Sequence, residues 1–316
     1  MMRIAVAGGC GLGYLIATGL SQAETAYNVV VLSRTLRREF APFGIQVHVV
    51  DYTDKASLQF ALQGIDLVIS TISGNEQLNL INAAGHGRIR YFVPSEFEGS
   101  LSHRPSPHRD TQDRGSSQAL ALLQQWGDAS RMKYTVFSCG IFMEHFHPFG
   151  LGSFSIGHGA GVANVGDYLL DMTLGIAEYP EKTAKGTTVR ICLTSIYDVV
   201  RFIIAAVDIG PKHWPKEYTL RGDKLSLRDV VDACGQARGA QFEHSTVKYG
   251  ELTSYITYFT QTGQQDRVSY YQRLLETANG RYEFSRATLN EAVDKSSRAD
   301  VKPVNFKTWL ASALTG

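Results

Sequence analysis

The chain has 316 residues, 44% of them hydrophobic and 19% charged. A fold of this size buries roughly 75% of the extended chain's surface and needs no disulfide or metal to hold it, and the composition excludes a disordered or fibrous chain. Basic and acidic residues number 31 and 30, a formal net charge of +1, which argues against a nucleic-acid protein with a broad basic face and against a polybasic membrane binder.

In chain order, Arg3–Ala7 (RIAVA) reads as a buried strand and Leu12–Gln22 as a helix. Asn28–Leu32 and Val47–Val50 are the second and third strands, and Asp54–Leu62 has helical spacing with Asp54 placed as its N-cap. Strand Asp66–Ser70, helix Glu76–Ala84, strand Ile89–Val93, helix Ser116–Trp126 and strand Tyr134–Ser138 continue the series. Strands rich in Val and Ile, each followed by a helix, predict an α/β fold with a doubly wound parallel sheet covered on both faces.

After Gly140 the pattern loosens. His145–Asp167 is rich in glycine and reads as loop, and Thr187–Leu193 returns to strand character. Thr194–Asp198 reads as the capped start of a helix running to about Val207, since a hydroxyl there can accept exposed N–H groups. Tyr218–Arg221 is a strand, Ser226–Asp229 repeats the capping pattern before Val230–Ala237, and Thr246–Asn279 is mostly helical. The aromatic stripe of Tyr255, Tyr258 and Phe259 reads as core. The expected division is residues 1–144 as the sheet domain and 145–316 as a smaller, partly helical substrate lobe, with segments near 187–207 returning to the sheet.

Four cysteines, Cys10, Cys139, Cys192 and Cys234, show no C-x-x-C spacing and read as buried free thiols. Five glycines interrupt the weakly polar stretch Ala5–Leu20, so a signal peptide is not expected. No run of about 18 apolar residues suggests a membrane span, and cytoplasm is the expected compartment.

The strongest local signal is the turn Gly8-Gly9-Cys10-Gly11-Leu12-Gly13 between the first strand and its helix. Glycines let the backbone approach a pyrophosphate, and the helix start offers bare N–H groups. Reading from Gly9, the last position of a strict G-x-G-x-x-G is Tyr14, so the spacing departs from that pattern; a ligand-free tight turn is the bland alternative. The second strand ends in Ser33-Arg34, with Arg37 and Arg38 following, where an enzyme using NAD would place an acid. A basic residue there suits the 2′-phosphate of NADPH. Asp51 and Tyr52 would face the adenine, and Thr71, Ile72 and Ser73 would line the cofactor's middle.

Val93-Pro94-Ser95-Glu96-Phe97 closes the fifth strand. It resembles the Pro-Ser-Glu-Phe motif of the NmrA-like and isoflavone-reductase-like proteins, atypical short-chain dehydrogenases. The glycine turn, Gln77 and Ser138-Cys139-Gly140-Ile141-Phe142 add to the likeness, which spans nearly the whole chain, and Thr194–Val199 and Gly280–Phe284 look like later segments of fungal members of secondary-metabolism type. The resemblance implies a Rossmann domain with a small substrate lobe, NADPH bound along Pro94, Ser95, Cys139, Gly140 and Phe142, and reduction of aromatic or phenolic secondary metabolites. One departure matters. Reductases of this kind carry a lysine early in the next helix, but here that segment is Asp113–Leu120, and no Lys occurs between Lys55 and Lys133. The Tyr-x-x-x-Lys pair of ordinary short-chain dehydrogenases is missing too. A lost general acid costs about 10²–10⁴-fold.

Substitutes are Glu96, which could equally cap a loop; Ser95, which could bind a substrate oxygen or a backbone amide; Ser117, near the lysine's place but also a natural cap; and His145. His147 is a further histidine in the same run, while His103 and His108 lie in a Pro/Ser-rich loop expected to be exposed. Phe97, Phe142, His145, Phe146 and Tyr168 are expected to wall an aromatic substrate pocket, with core packing the alternative. No metal is expected. Three functions stay open: an NADPH-dependent reductase of an aromatic or polyketide-like molecule with an activated, quinone-methide or enone-like carbon; a redox-neutral isomerase or cyclase; and a non-catalytic NADP-sensing regulator. The expected assembly is a monomer or homodimer.

Overall fold

The computed structural model describes residues 2–25, 27–106, 110 and 113–315. β1 (Arg3–Ala7) leads into α1 (Gly11–Ser21), then β2 (Asn28–Ser33), β3 (Gln46–Val49), α2 (Lys55–Ala61), β4 (Leu67–Ser70), α3 (Gly74–His86), β5 (Tyr91–Val93), α4 (Ser116–Asp128) and β6 (Lys133–Tyr134). The strands form one parallel sheet in the order β3-β2-β1-β4-β5-β6. Successive side chains of a strand point to opposite faces. Ile4 and Val6 therefore enter the core beneath α1, while Ala5 and Ala7 enter the core beneath α2, α3 and α4. The order reverses between β1 and β4, and the crevice outside the carboxyl ends at such a reversal is where open α/β sheets bind ligands.

The chain continues through β7 (Val136–Ser138), β8 (Ile141–Phe142), β9 (Leu170–Asp171), β10 (Ile176–Tyr179), β11 (Arg190–Thr194), α5 (Ile196–Ile209), β12 (Glu217–Thr219), β13 (Asp223–Ser226), α6 (Leu227–Arg238), β14 (Glu243–Thr246), α7 (Tyr249–Gln261), α8 (Gln265–Ala278), α9 (Thr288–Asp294) and α10 (Phe306–Thr315). Asp54 caps α2 through the Ala56 amide, Ser195 caps α5, and Ser226 with Asp229 forms a reciprocal capping box on α6.

Several sequence expectations are corrected. The strand expected over Tyr134–Ser138 divides at Thr135. The Thr135 amide donates to the Phe92 carbonyl at 3.1 Å, but its hydroxyl donates to the Pro215 carbonyl at 2.7 Å and the Val136 amide to the Lys216 carbonyl at 2.9 Å. Val136–Ser138 accordingly pairs with β12. β11 lies outside the six-stranded sheet, parallel to β8 and antiparallel to β13. α5 does return to that sheet's core, where Ile196, Val199 and Ile203 join Ile4 and Val6. On α7, Tyr255 and Phe259 stack on Tyr271, but Tyr255 is 39% and Tyr258 56% exposed and Phe259 is half-buried, so the stripe is not core. His103 is exposed, and His108 lies outside the described residues. No helix among the described residues is long and apolar enough to cross a membrane.

Candidate functional site

The turn after β1 is built from glycines that cannot be otherwise. Gly8 has φ +103° and Gly11 φ +49°, a region that L side chains avoid. A Cβ on Gly8 would stand 2.3 Å from the Thr71 hydroxyl, and one on Gly13 would stand 2.3 Å from the Gly8 carbonyl. α1 begins at the N-cap Cys10 and α3 at the N-cap Ser73, and neither helix start receives a side-chain cap. The first amides of a helix have no partner within it, and they carry its positive end. Both starts line one cleft of about 400 Å³. The Gly74 amide donates to the Arg114 carbonyl at 2.8 Å and the Gly13 amide to the Cys10 carbonyl at 3.0 Å; the other first-turn amides, the positive helix ends and the backbone without side chains form a cradle that fits a diphosphate.

At the end of β2, Arg34 is 73% exposed and pairs with Glu76, in the first turn of α3, at 3.2 Å. Arg37 lays its stem across Gly9, and its buried Nε has no partner. Arg38 is exposed at the start of a 3-10 turn. Ser33 is buried and accepts weakly from the Thr35 amide. Asp51 is exposed; its bonds from the Thr53 hydroxyl and amide hold its carboxyl below the usual range. Tyr52 is buried with its hydroxyl donating to the Leu32 carbonyl, so it backs this end of the cleft instead of opening onto it.

Beyond β5 the chain alternates. Ser95 and Phe97 line the cleft, and Glu96 between them points the other way. Glu96 is buried in an ion pair with Arg104; burial raises its pKa against the lowering pull of that guanidinium. Fully buried Gln77 accepts the Ser95 amide at 2.7 Å, and its Nε2 is left without a partner. Pro94 and Cys139 are buried behind the wall, while Thr71, Ile72, Gly140 and Phe142 reach the cleft. Ser117 donates its amide to Asp113 in the first turn of α4 and is not among the residues lining the cleft.

His145 lines the cleft, its ring 5.7 Å from Tyr168. Burial, then the nearby Arg273 charge, pushes its pKa down to about 3. The imidazole is thus neutral near pH 7 and holds no spare proton for general-acid work. Tyr168 also lines the cleft and pairs its hydroxyl with Thr277 at 3.0 Å. Phe146 is fully buried against Phe306 and Tyr168 in the lobe core instead of lining the cleft.

Some cleft residues carried no sequence signal. Arg273, 6% exposed, donates to the carbonyls of Asp167 at 2.7 Å and Gly161 at 2.9 Å. It thereby ties α8 to the glycine-rich segment 151–162, whose Ser155 carbonyl rests against Gly11. Tyr282 and Arg114 also line the cleft; Arg114 stands just before α4, 3.8 Å from Glu98. A basic residue at that helix start was readable in the sequence, whereas Arg273 sits inside an ordinary amphipathic helix.

Cys10 is the one exposed cysteine of four, and it lines the cleft. Burial pushes the other three thiols up. A thiol reagent should therefore titrate a single fast thiol, removed by Cys10→Ser. A ligand seated on the turn at 100 times its Kd should slow that reaction about 100-fold. Equal rates with and without dinucleotide would contradict this placement.

The sequence pattern of the NmrA-like family matches residues 2–299. A protein of Botryotinia fuckeliana (strain B05.10) named oxidoreductase BOA1 is 29% identical over 256 residues, 77% of this chain and 78% of that one. Among solved structures, the ternary complex of leucoanthocyanidin reductase from Vitis vinifera superposes with a TM-score of 0.71 at 15% identity, covering 99% of this chain and 100% of that one. The NADPH complex of the quinone oxidoreductase QOR2 from Escherichia coli gives 0.67 at 17% identity, covering 98% and 99%.

Proposed function

The chain belongs to the NmrA-like family, and from that premise we propose that it is an NADPH-dependent reductase of a small aromatic or polyketide-like molecule. The observation that carries the reading is the single cleft in which a glycine turn and two uncapped helix starts face an aromatic chamber. The oxidoreductase name of the Botryotinia relative and the reductase names of the fold neighbours support it. We take residues 1–144 as the nucleotide-binding part and the remainder mainly as the substrate part.

The amides of the turn and of α1 would hold the diphosphate, Arg34 the 2′-phosphate, and Thr71–Ser73 the middle of the dinucleotide. The bound dinucleotide would supply a hydride. The chain's own contribution is a chamber of Phe97, Phe142, Tyr168 and Tyr282, with Ser95, neutral His145, the Arg273 charge and the Arg114–Glu98 pair as polar groups. Glu96 is committed to Arg104, and Ser117, whose amide donates to Asp113, does not line the cleft. An electrophilic carbon whose reduction needs little proton assistance therefore suits this site, with water as the proton source.

Arg34→Ala tests the phosphate contact. One charge-assisted bond is worth roughly 1.5–3 kcal/mol. NADPH binding should weaken about ten- to a hundredfold, and NADH binding by less than about twofold. Equal losses would remove the case for the phosphorylated cofactor, and no NADPH oxidation with any quinone-methide or enone would remove the case for a reductase.

A further inference from the structure

We propose that Arg34 and Glu76 form a cofactor-selectivity pair, in which the Glu76 carboxylate competes with a 2′-phosphate for the Arg34 guanidinium and lets the cleft accept NADH alongside NADPH. The inference rests on the reading of the cleft as a dinucleotide site. The two residues are 42 positions apart in sequence. Arg34 follows the second strand, and Glu76 opens α3 and lines the cleft.

Their contact is 3.2 Å with side chains 73% and 35% exposed. Such a pair in water is weak and exchanges readily. A phosphate carries more charge and three acceptor oxygens, so it outcompetes a single carboxylate for a guanidinium. The exchange leaves Glu76 unpaired beside the phosphate, and like charges at close range disfavour that state. Without a 2′-phosphate the pair stays closed. A carboxylate at this end of the cleft is also the group that commonly accepts the ribose hydroxyls of NADH. The other ion pair nearby, Arg37 with Glu39 at 3.5 Å, is balanced and sits over Gly9. Glu76 stands in the first turn of α3, and its carboxylate, paired with Arg34, acts at the Arg34 end of the cleft.

The test is calorimetric titration of the parent protein, Glu76→Gln and Arg34→Ala with NADPH and with NADH, with protection of the Cys10 thiol as a second readout. Glu76→Gln should tighten NADPH about three- to tenfold and leave NADH unchanged or weaker. Glu76→Ala, which removes the same carboxylate without adding a charge, should move the ratio in the same direction. A ratio of the two affinities that stays within twofold of the parent in both variants, or that falls, overturns the pair. If Arg34→Ala costs no NADPH affinity, the phosphate reading itself fails. If Arg34→Ala acts as expected and the Glu76 variants do not, only the pair fails.

Discussion

Gly8→Ala should cost about 2–4 kcal/mol of stability and abolish dinucleotide binding. Two penalties combine. The backbone at Gly8 has φ +103°, which is costly for any residue with a Cβ. The added methyl would stand 2.3 Å from the Thr71 hydroxyl. That hydroxyl donates to the Ala7 carbonyl at 2.9 Å, and the Thr71 amide donates to the same carbonyl at 2.8 Å. Thr71 cannot retreat without breaking the bond that ties β4 to the end of β1. Gly44→Ala is the control. It has φ +65° with nothing within 4 Å of an added Cβ, so it carries backbone strain alone, about 1 kcal/mol. Urea unfolding measures both; equal losses would show that the turn is not sterically held.

The second large effect is a pH dependence written into Glu144. This fully buried carboxylate accepts the Ser195 hydroxyl at 2.8 Å and the Ile196 amide at 3.0 Å, holding the start of α5. Burial pushes its pKa up to about 7 against the lowering effect of those bonds. An acid whose pKa is higher folded than unfolded stabilises the fold fully below its unfolded value, about 4.3. That contribution is lost as pH rises through about 7 and amounts to something on the order of 3 kcal/mol. His145 works in the opposite direction, since its folded pKa is depressed to about 3; its penalty grows as pH falls below about 6.5. Glu276, also raised to about 7, follows Glu144. The wild-type curve alone therefore mixes opposing slopes. The difference between wild type and Glu144→Gln isolates the one group. It should shift by about 3 kcal/mol in favour of the variant between pH 4.5 and 7.5. A difference that does not change with pH would mean that Glu144 is ionised in the fold throughout that range.

The sheet was legible because its central strands β1, β2 and β4 are short Val- or Ile-rich runs, and burial on both faces leaves that pattern in sequence; the outer strands β3 and β6 carry less of it. The glycine turn was legible for a related reason: Gly8, Gly11 and Gly13 each stand where a side chain cannot. The place where β6 gives way to β7 was not legible, because Thr135 bonds to Phe92 on one side and Pro215 on the other, a partner 80 residues away. Ser95 and Phe97 face the cleft and Glu96 faces Arg104, but the segment after Val93 is not strand and Glu98 faces the cleft again, so no strict period in the sequence marked Glu96 as the residue that turns away. Phe146 was indistinguishable from Phe142 by type; only Phe306, 160 residues later, determines which of the two is core. Arg273 and the segment 151–162 join the cleft through carbonyl contacts that leave no residue pattern.

Calorimetric titration with NADPH tests the central claim most directly, namely that the amides opening α1 hold a diphosphate. One binding event per chain is expected, with Cys10 protected in step with saturation. No heat at millimolar NADPH, together with unchanged Cys10 reactivity, would contradict it.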